Sequence, residues 1–138
     1  MKGKSKVKGQ KSKVIQRELG ERLLDYGVRV IKVVEAMPGT LVGRRIGDQL
    51  LRSGIAVGAN YEESRAAEST ADFVHKLQLS LKELRESNYW LRLLSKAKTL
   101  PPNQLEELLN ESNQLRAILS KAVATAKGRA KPPLPPHF

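Results

Sequence analysis

Leu105, Leu108, Ser112, Leu115, Leu119, Ala122 and Ala126 follow one another in alternating steps of three and four residues. A strand turns its side chains over every second residue and cannot hold that set on one face. A helix gathers it into a single stripe with the 3.5-residue spacing of bundle packing. The same reading applies upstream. Ile15, Leu19, Leu23, Tyr26, Val30 and Val33 predict a helix from about Val14 to Ala36, widened by a second row, Leu24, Val28 and Ile31. Ile46, Leu50, Val57 and Tyr61 predict a second helix over about Leu41–Ala67. Phe73, Leu77, Leu81, Leu84, Leu91 and Leu94 predict a third over about Thr70–Ala97.

The breaks between these segments are short. MPG at 37–39 ends the first, and Thr40 is placed to cap the second. Ser69-Thr70-Ala71-Asp72 resembles a capping box with Asp at its fourth position. TLPPN at 99–103 forms the last break, with Asn103 read as the cap of helix four and Glu106 favouring its dipole. Short connections make consecutive helices antiparallel neighbours. The expectation is an all-α chain, an up-down-up-down four-helix bundle over residues 14–126. A disordered basic tail at 1–13 and a basic, Pro-rich tail at 127–138 flank it.

One stretch resists the helical reading. LLRSGIAVGANYEES at 50–64 carries Gly54 and Gly58, and Gly43 and Gly47 repeat their four-residue spacing upstream. Each interior Gly costs about 1 kcal/mol relative to Ala. Either these glycines let a neighbouring helix approach closely along one face, with Ser53 and Ala56 adding to the low relief, or they mark a local bend. Arg44, Arg45, Asp48 and Arg52 interrupt the segment and argue against a membrane-embedded small-xxx-small contact.

Charge separates the tails from the body. The chain has a formal charge of +11, yet residues 14–126 hold 16 Lys and Arg against all 14 acids. The excess sits at the ends, with Lys2, Lys4, Lys6, Lys8, Lys11 and Lys13 in a run that contains no acid. Such a run can condense on nucleic acid without sequence preference, or serve only as a solubilising tail. In the body, Arg44, Arg45 and Arg52 have only Asp48 among them, and Arg85 and Arg92 are also weakly compensated. These five are the candidate phosphate contacts. Most other charges fall into pairs four residues apart (Arg44–Asp48, Asp48–Arg52, Asp25–Arg29, Asp72–Lys76, Lys82–Glu86) and read as a solvated surface. The C-terminal KPPLPP can act as a polyproline ligand or as a passive tail.

No catalytic residue, metal site or cofactor is expected. There is no cysteine, and the only histidines are His75 and His137. Walker, Rossmann and nucleophile-elbow motifs are missing, and adjacent Glu62 and Glu63 diverge by about 100° on a helix. No apolar run approaches the roughly 18 residues of a membrane span. The chain reads as cytoplasmic and free of membrane contact. SNYWLRLL at 87–94 places Tyr89, Trp90 and Leu93 beside the main stripe. Together with Leu24, Val28 and Ile31 they form more apolar surface than one bundle seam needs, which points to a homo-oligomer interface.

The run RIGDQLLRSGIAVGANYEESRAAESTADFVHKLQLSLKELRESNYWLRLL at 45–94 closely resembles the four-helix bundle family named after the 23S rRNA intervening sequence. DQLLRSG, VGANYEE, AAES, DF.HKL and YWLRLL occur in the expected order, and the wider similarity covers about Val14 to Leu119. Ile55-Ala56 departs from the more usual hydroxyl-bearing pair, and the Lys tail is not a family feature. The resemblance implies a bacterial bundle protein that assembles as a ring, commonly a pentamer, encoded within rRNA-gene insertions. A related branch serves as accessory protein of diversity-generating retroelements, where a basic ring binds nucleic acid and the reverse transcriptase. No catalytic residues come across. Two functions are therefore expected: an oligomeric accessory protein that binds RNA or DNA, or a scaffold that binds another protein through the bundle surface.

Overall fold

A computed structural model describes residues 2–130 of the backbone, with the side chains of Lys11 and residues 13–129. Four helices follow in chain order: α1 Lys2–Glu35, α2 Leu41–Arg65, α3 Thr70–Ala97 and α4 Pro102–Ala130. Short turns make successive helices antiparallel, and the pairings α1–α2, α2–α3 and α3–α4 are closed by a sparser α1–α4 seam. The apolar stripes meet inside, where Leu23, Val30, Leu50, Val57, Leu84, Leu91, Leu115 and Leu119 lose all contact with water. The all-α, up-down-up-down bundle is the fold that the periodicity implied.

Most boundaries follow from local chemistry. Thr40 caps α2, its Oγ1 accepting the Gly43 N–H at 3.1 Å. Ser69 caps α3, accepting the Asp72 N–H at 3.0 Å. Asn103 does not cap α4. That helix begins at Pro102, whose fixed φ and missing N–H suit the first helical position, so Asn103 lies inside the first turn. The third turn closes on Lys98, in the left-handed region at φ 54°, with its N–H on the carbonyls of Leu94 and Ser95.

α1 starts at Lys2 and α4 runs to Ala130, so the basic segments at 2–13 and 127–130 carry helical backbone. Contact with the bundle begins at Gln16, whose carbonyl accepts the Tyr61 hydroxyl at 3.0 Å, and burial begins at Leu19 and Gly20, while the side chains of Lys11 and residues 13–18 are exposed. Ahead of that point α1 overhangs the bundle on local propensity alone, which for an unpacked helix of that length is marginal in water. The Pro-rich residues 131–138, with His137, lie outside the described residues.

Gly47, Gly54 and Gly58 of α2 face α1, and Gly43 faces the turn that precedes its own helix. Gly43 meets Pro38, Gly47 meets Val34, Gly54 meets Val30 and Gly58 meets Leu23, a descending register that follows from antiparallel packing. No side chain fits at Gly43, where a Cβ would lie 2.0 Å from the Pro38 carbonyl oxygen. At Gly54 a Cβ would come within 2.7 Å of Val30 Cγ1, on a β-branched side chain that is fully buried and stiff. Gly58 is looser, with the nearest Leu23 atoms at 3.6 Å. α2 runs unbroken through Gly54, so the glycines serve close approach and not a bend.

Polar groups in the core are few and all partnered. Ser87 Oγ donates to the Leu84 carbonyl at 3.0 Å, so the buried Tyr26 hydroxyl donates to Ser87 Oγ at 2.8 Å. Burial pushes the Tyr26 phenol up. Asn88 Nδ2 donates to Ser112 Oγ and Asn113 Oδ1, both at 2.9 Å, and Ser80 Oγ donates to the Val57 carbonyl at 2.7 Å. These bonds tie α3 to each of the other helices at fixed heights. A slip in register would strand a buried donor at about 1–3 kcal/mol.

The sparse α1–α4 seam carries a two-pronged ion pair. Arg22 donates from Nε and Nη2 to the two carboxylate oxygens of Glu111 at 2.8 and 2.6 Å. That hydrogen bonding holds the Glu111 carboxyl below the usual carboxylate range, against an opposing push from partial burial. A carboxyl lowered by folding stabilises the protein above its ordinary pKa and loses that contribution as pH falls through the lowered value.

Two outcomes are expected. Gly54→Ala should lower stability by about 1–3 kcal/mol through overpacking against Val30, whereas Gly58→Ala should hold or raise it by up to about 1 kcal/mol through helix propensity. Denaturant midpoints at unchanged slope read both, and equal gains at the two sites would show a loose α1–α2 contact. Glu111→Gln should cost on the order of 1 kcal/mol at neutral pH. That deficit should shrink towards zero in midpoints taken through the acid range, and a deficit constant with pH would exclude the ion pair as its source.

Candidate nucleic-acid interface and apolar groove

The candidate cations divide into three groups. Lys2, Lys4, Lys6, Lys8, Lys11 and Lys13 lie along the α1 overhang, with Lys11 and Lys13 exposed. Arg44 and Arg45 sit exposed in the first turn of α2, where Arg44 Nη1 donates to the Gly39 carbonyl at 2.7 Å and so buttresses the preceding turn. Arg85 and Arg92 are exposed on α3 and form no ion pair among the described residues.

Arg52 stands apart. Spacing along its own helix offers it only Asp48 as a partner. In space it bridges to α3, pairing with Glu83 at 3.1 Å and with Glu86. These bonds, the Glu86 one foremost, raise the guanidinium pKa further. Its charge is therefore already committed between helices. None of the pairs expected four residues apart forms among the described residues. Lys76 pairs with Glu63 across α2 and α3, Glu62 pairs with Arg65, and Lys32 pairs with Glu35. The last two are same-helix pairs three residues apart, worth about 0.3–0.5 kcal/mol each, whereas Arg52 takes the part-buried carboxylates of the facing helix over exposed Asp48 on its own.

The six apolar residues assigned to one interface fall on two surfaces. Leu24, Val28 and Ile31 are 61, 48 and 38% exposed on α1, whereas Tyr89, Trp90 and Leu93 belong to α3, which has no backbone adjacency to α1. Trp90 packs partly against the core, and its indole N–H donates to Glu86 at 3.3 Å. On the α1 side the surface is joined by Ile55, 47% exposed on α2. Together they wall a groove of about 930 Å³ floored by Gly20, Gly27 and Gly58, with Arg17, Glu18, Glu21, Glu62 and Arg65 at its edges. Small residues that bring the two helices together also lower the floor between them. Ile55 was visible in sequence only as a departure from the family pattern, and periodicity alone could not show that it joins the second apolar row of α1.

Among the described residues, no group of His, Cys, Asp and Glu is disposed to hold a metal ion, and no helix is long and apolar enough to cross a membrane. His75 is exposed on α3. Among the described residues the surface offers exposed positive charge, the apolar groove between α1 and α2, and a smaller apolar hollow of about 290 Å³ lined by Ile15, Leu19, Phe73 and Ile118.

Comparison with curated proteins returns no match. Among solved structures, the chain is similar to a protein with unknown function from the S23 ribosomal protein family of Bacteroides thetaiotaomicron. The two share 32% identity, with a TM-score of 0.67, over 76% of this chain and 97% of the other. A family model described as 23S rRNA-intervening sequence protein matches residues 18–121, which span the bundle from α1 to α4, and the chain belongs to that family.

Proposed function

We propose that the protein is a non-catalytic, cytoplasmic accessory protein that self-associates and binds RNA or DNA through its cations. The observation that carries this reading is the acid-free run of six lysines at 2–13, continuous with α1 and reaching beyond the packed bundle. Lys11 and Lys13 are exposed and form no ion pair among the described residues, whereas Arg52 is already paired with Glu83 and Glu86. Self-association multiplies that charge. A second copy covering the Leu24, Val28, Ile31 and Ile55 groove would bring several overhangs into one particle, and the linked sites would bind more tightly than a single chain. The family's ring assemblies agree with this arrangement.

The same groove favours a second reading, a scaffold that seats another protein on α1 and α2 without touching nucleic acid. A specific protein recovered by pull-down after nuclease treatment, and lost in Val28→Glu, would support it.

Two measurements test the first reading. Affinity for nucleic acid should fall with salt at a log–log slope of roughly −4 to −5 if all six lysines engage phosphates. Removing residues 2–13 should flatten that slope, and binding that is absent at low salt, or unchanged by the deletion, would overturn the assignment. Light scattering should give a mass of several chains for the intact protein and of fewer for Val28→Glu, since a carboxylate has no partner in an apolar contact. A single-chain mass for the intact protein would remove self-association from the account.

A further inference from the structure

The outer face of α3 has a composition unlike the rest of the bundle surface. From Lys82 to Lys96 its exposed residues are Lys82, Arg85, Tyr89, Arg92 and Lys96, four cations around one aromatic ring and no acid. The acids of this stretch are turned elsewhere. Glu83 and Glu86 reach across to Arg52, and Glu86 also accepts the Trp90 indole N–H. Lys82, expected from spacing to pair with Glu86, is left without an ion pair among the described residues. Helical steps of three and four residues place Arg85, Tyr89, Arg92 and Lys96 along one stripe, with Lys82 one turn further on.

Tyr89 sits at the centre of this stripe and is 53% exposed. Its ring is not loose. Trp90 meets it edge-on, with ring centroids 5.2 Å apart and planes at 73°, and Trp90 is itself anchored in the core margin and on Glu86. A large aromatic held in place at the surface loses little freedom when something stacks on it. Cations to either side supply attraction for phosphates, and an unpaired base supplies the π-face that an exposed ring accepts. Duplex nucleic acid offers phosphates but keeps its bases stacked on one another.

Resting on the nucleic-acid reading above, we infer that the outer face of α3 is a stacking platform for single-stranded nucleic acid. Tyr89 takes an unpaired base, and Lys82, Arg85, Arg92 and Lys96 track the backbone. Tyr89 thereby leaves the set of interface residues, and the subunit contact rests on the α1–α2 groove.

The test is fluorescence anisotropy of the full-length protein with labelled oligo-dT, oligo-rU and a DNA duplex of equal length. Tyr89→Ala should weaken binding of the single strands by roughly 5- to 100-fold, the range for loss of one stacked base. Tyr89→Phe should retain it, and duplex binding should be unchanged in both. The dT and rU arms show which sugar the face accepts. Both proteins are checked by circular dichroism and light scattering. Equal losses on single strand and duplex, or no loss at all, overturn the platform while leaving the lysine overhang intact. A changed particle mass in Tyr89→Ala with unaltered affinity also overturns it and makes the face a contact between copies. Failure of the intact protein to bind any of the three probes removes the parent reading along with this one.

Discussion

The structure depends on how closely α1 and α2 approach. At Gly54 the Val30 side chain occupies the space a Cβ would need, and at Gly58 the Leu23 backbone lies 3.6 Å from one. Helical propensity is given up along α2 in exchange for backbone-level contact, an exchange that only tertiary packing can repay. The rest follows from that contact. With α1 and α2 drawn together, the inner rows meet α3 and α4 as one core. The outer rows, Leu24, Val28, Ile31 and Ile55, are left on a shallow floor of small residues. The groove is a by-product of the tight seam, which links the packing of the fold to the surface on which assembly is proposed.

Polar chemistry in the bundle divides into two kinds of work. Inside, Tyr26, Ser80, Ser87, Asn88 and Ser112 are fully partnered and fix the helices at one height relative to each other. Apolar stripes alone would tolerate a shift of one heptad, and a buried hydrogen-bonded layer does not. Outside, Glu83 and Glu86 of α3 are gathered into one interhelical cluster with Arg52. That arrangement strips negative charge from the outward face and gives α3 its positive stripe. A body close to neutral in total can thus present a strongly one-signed strip.

Much of this was legible in residue spacing. The stripes of all four helices, the caps at Thr40 and Ser69 and the breaks at MPG and TLPPN depend on local sequence, and each appears where local rules put it, except that Ile15, at the head of the α1 stripe, lies exposed before the core begins. Three features were not legible because they depend on what lies across the bundle. Arg52 looked weakly compensated from its own helix but meets Glu83 and Glu86 from the next. The six apolar surface residues looked like one set, yet α1 and α3 are diagonal, so they form two. Asn88 and Ser87 carry no periodic signal of their own, and their importance emerges only when Tyr26 and Ser112 arrive from other helices. Asn103 was displaced as a cap for a different reason: Pro102, one residue earlier, already satisfies the first turn.

The continuity of α1 has a mechanical side. The lysine overhang and the glycine-lined contact belong to one uninterrupted rod, with no hinge glycine in a left-handed conformation and no proline between them. The direction in which the lysine-bearing backbone leaves the bundle is therefore set by the same helix that carries Val30 and Leu23 into the tight contact with α2, and not by a loop.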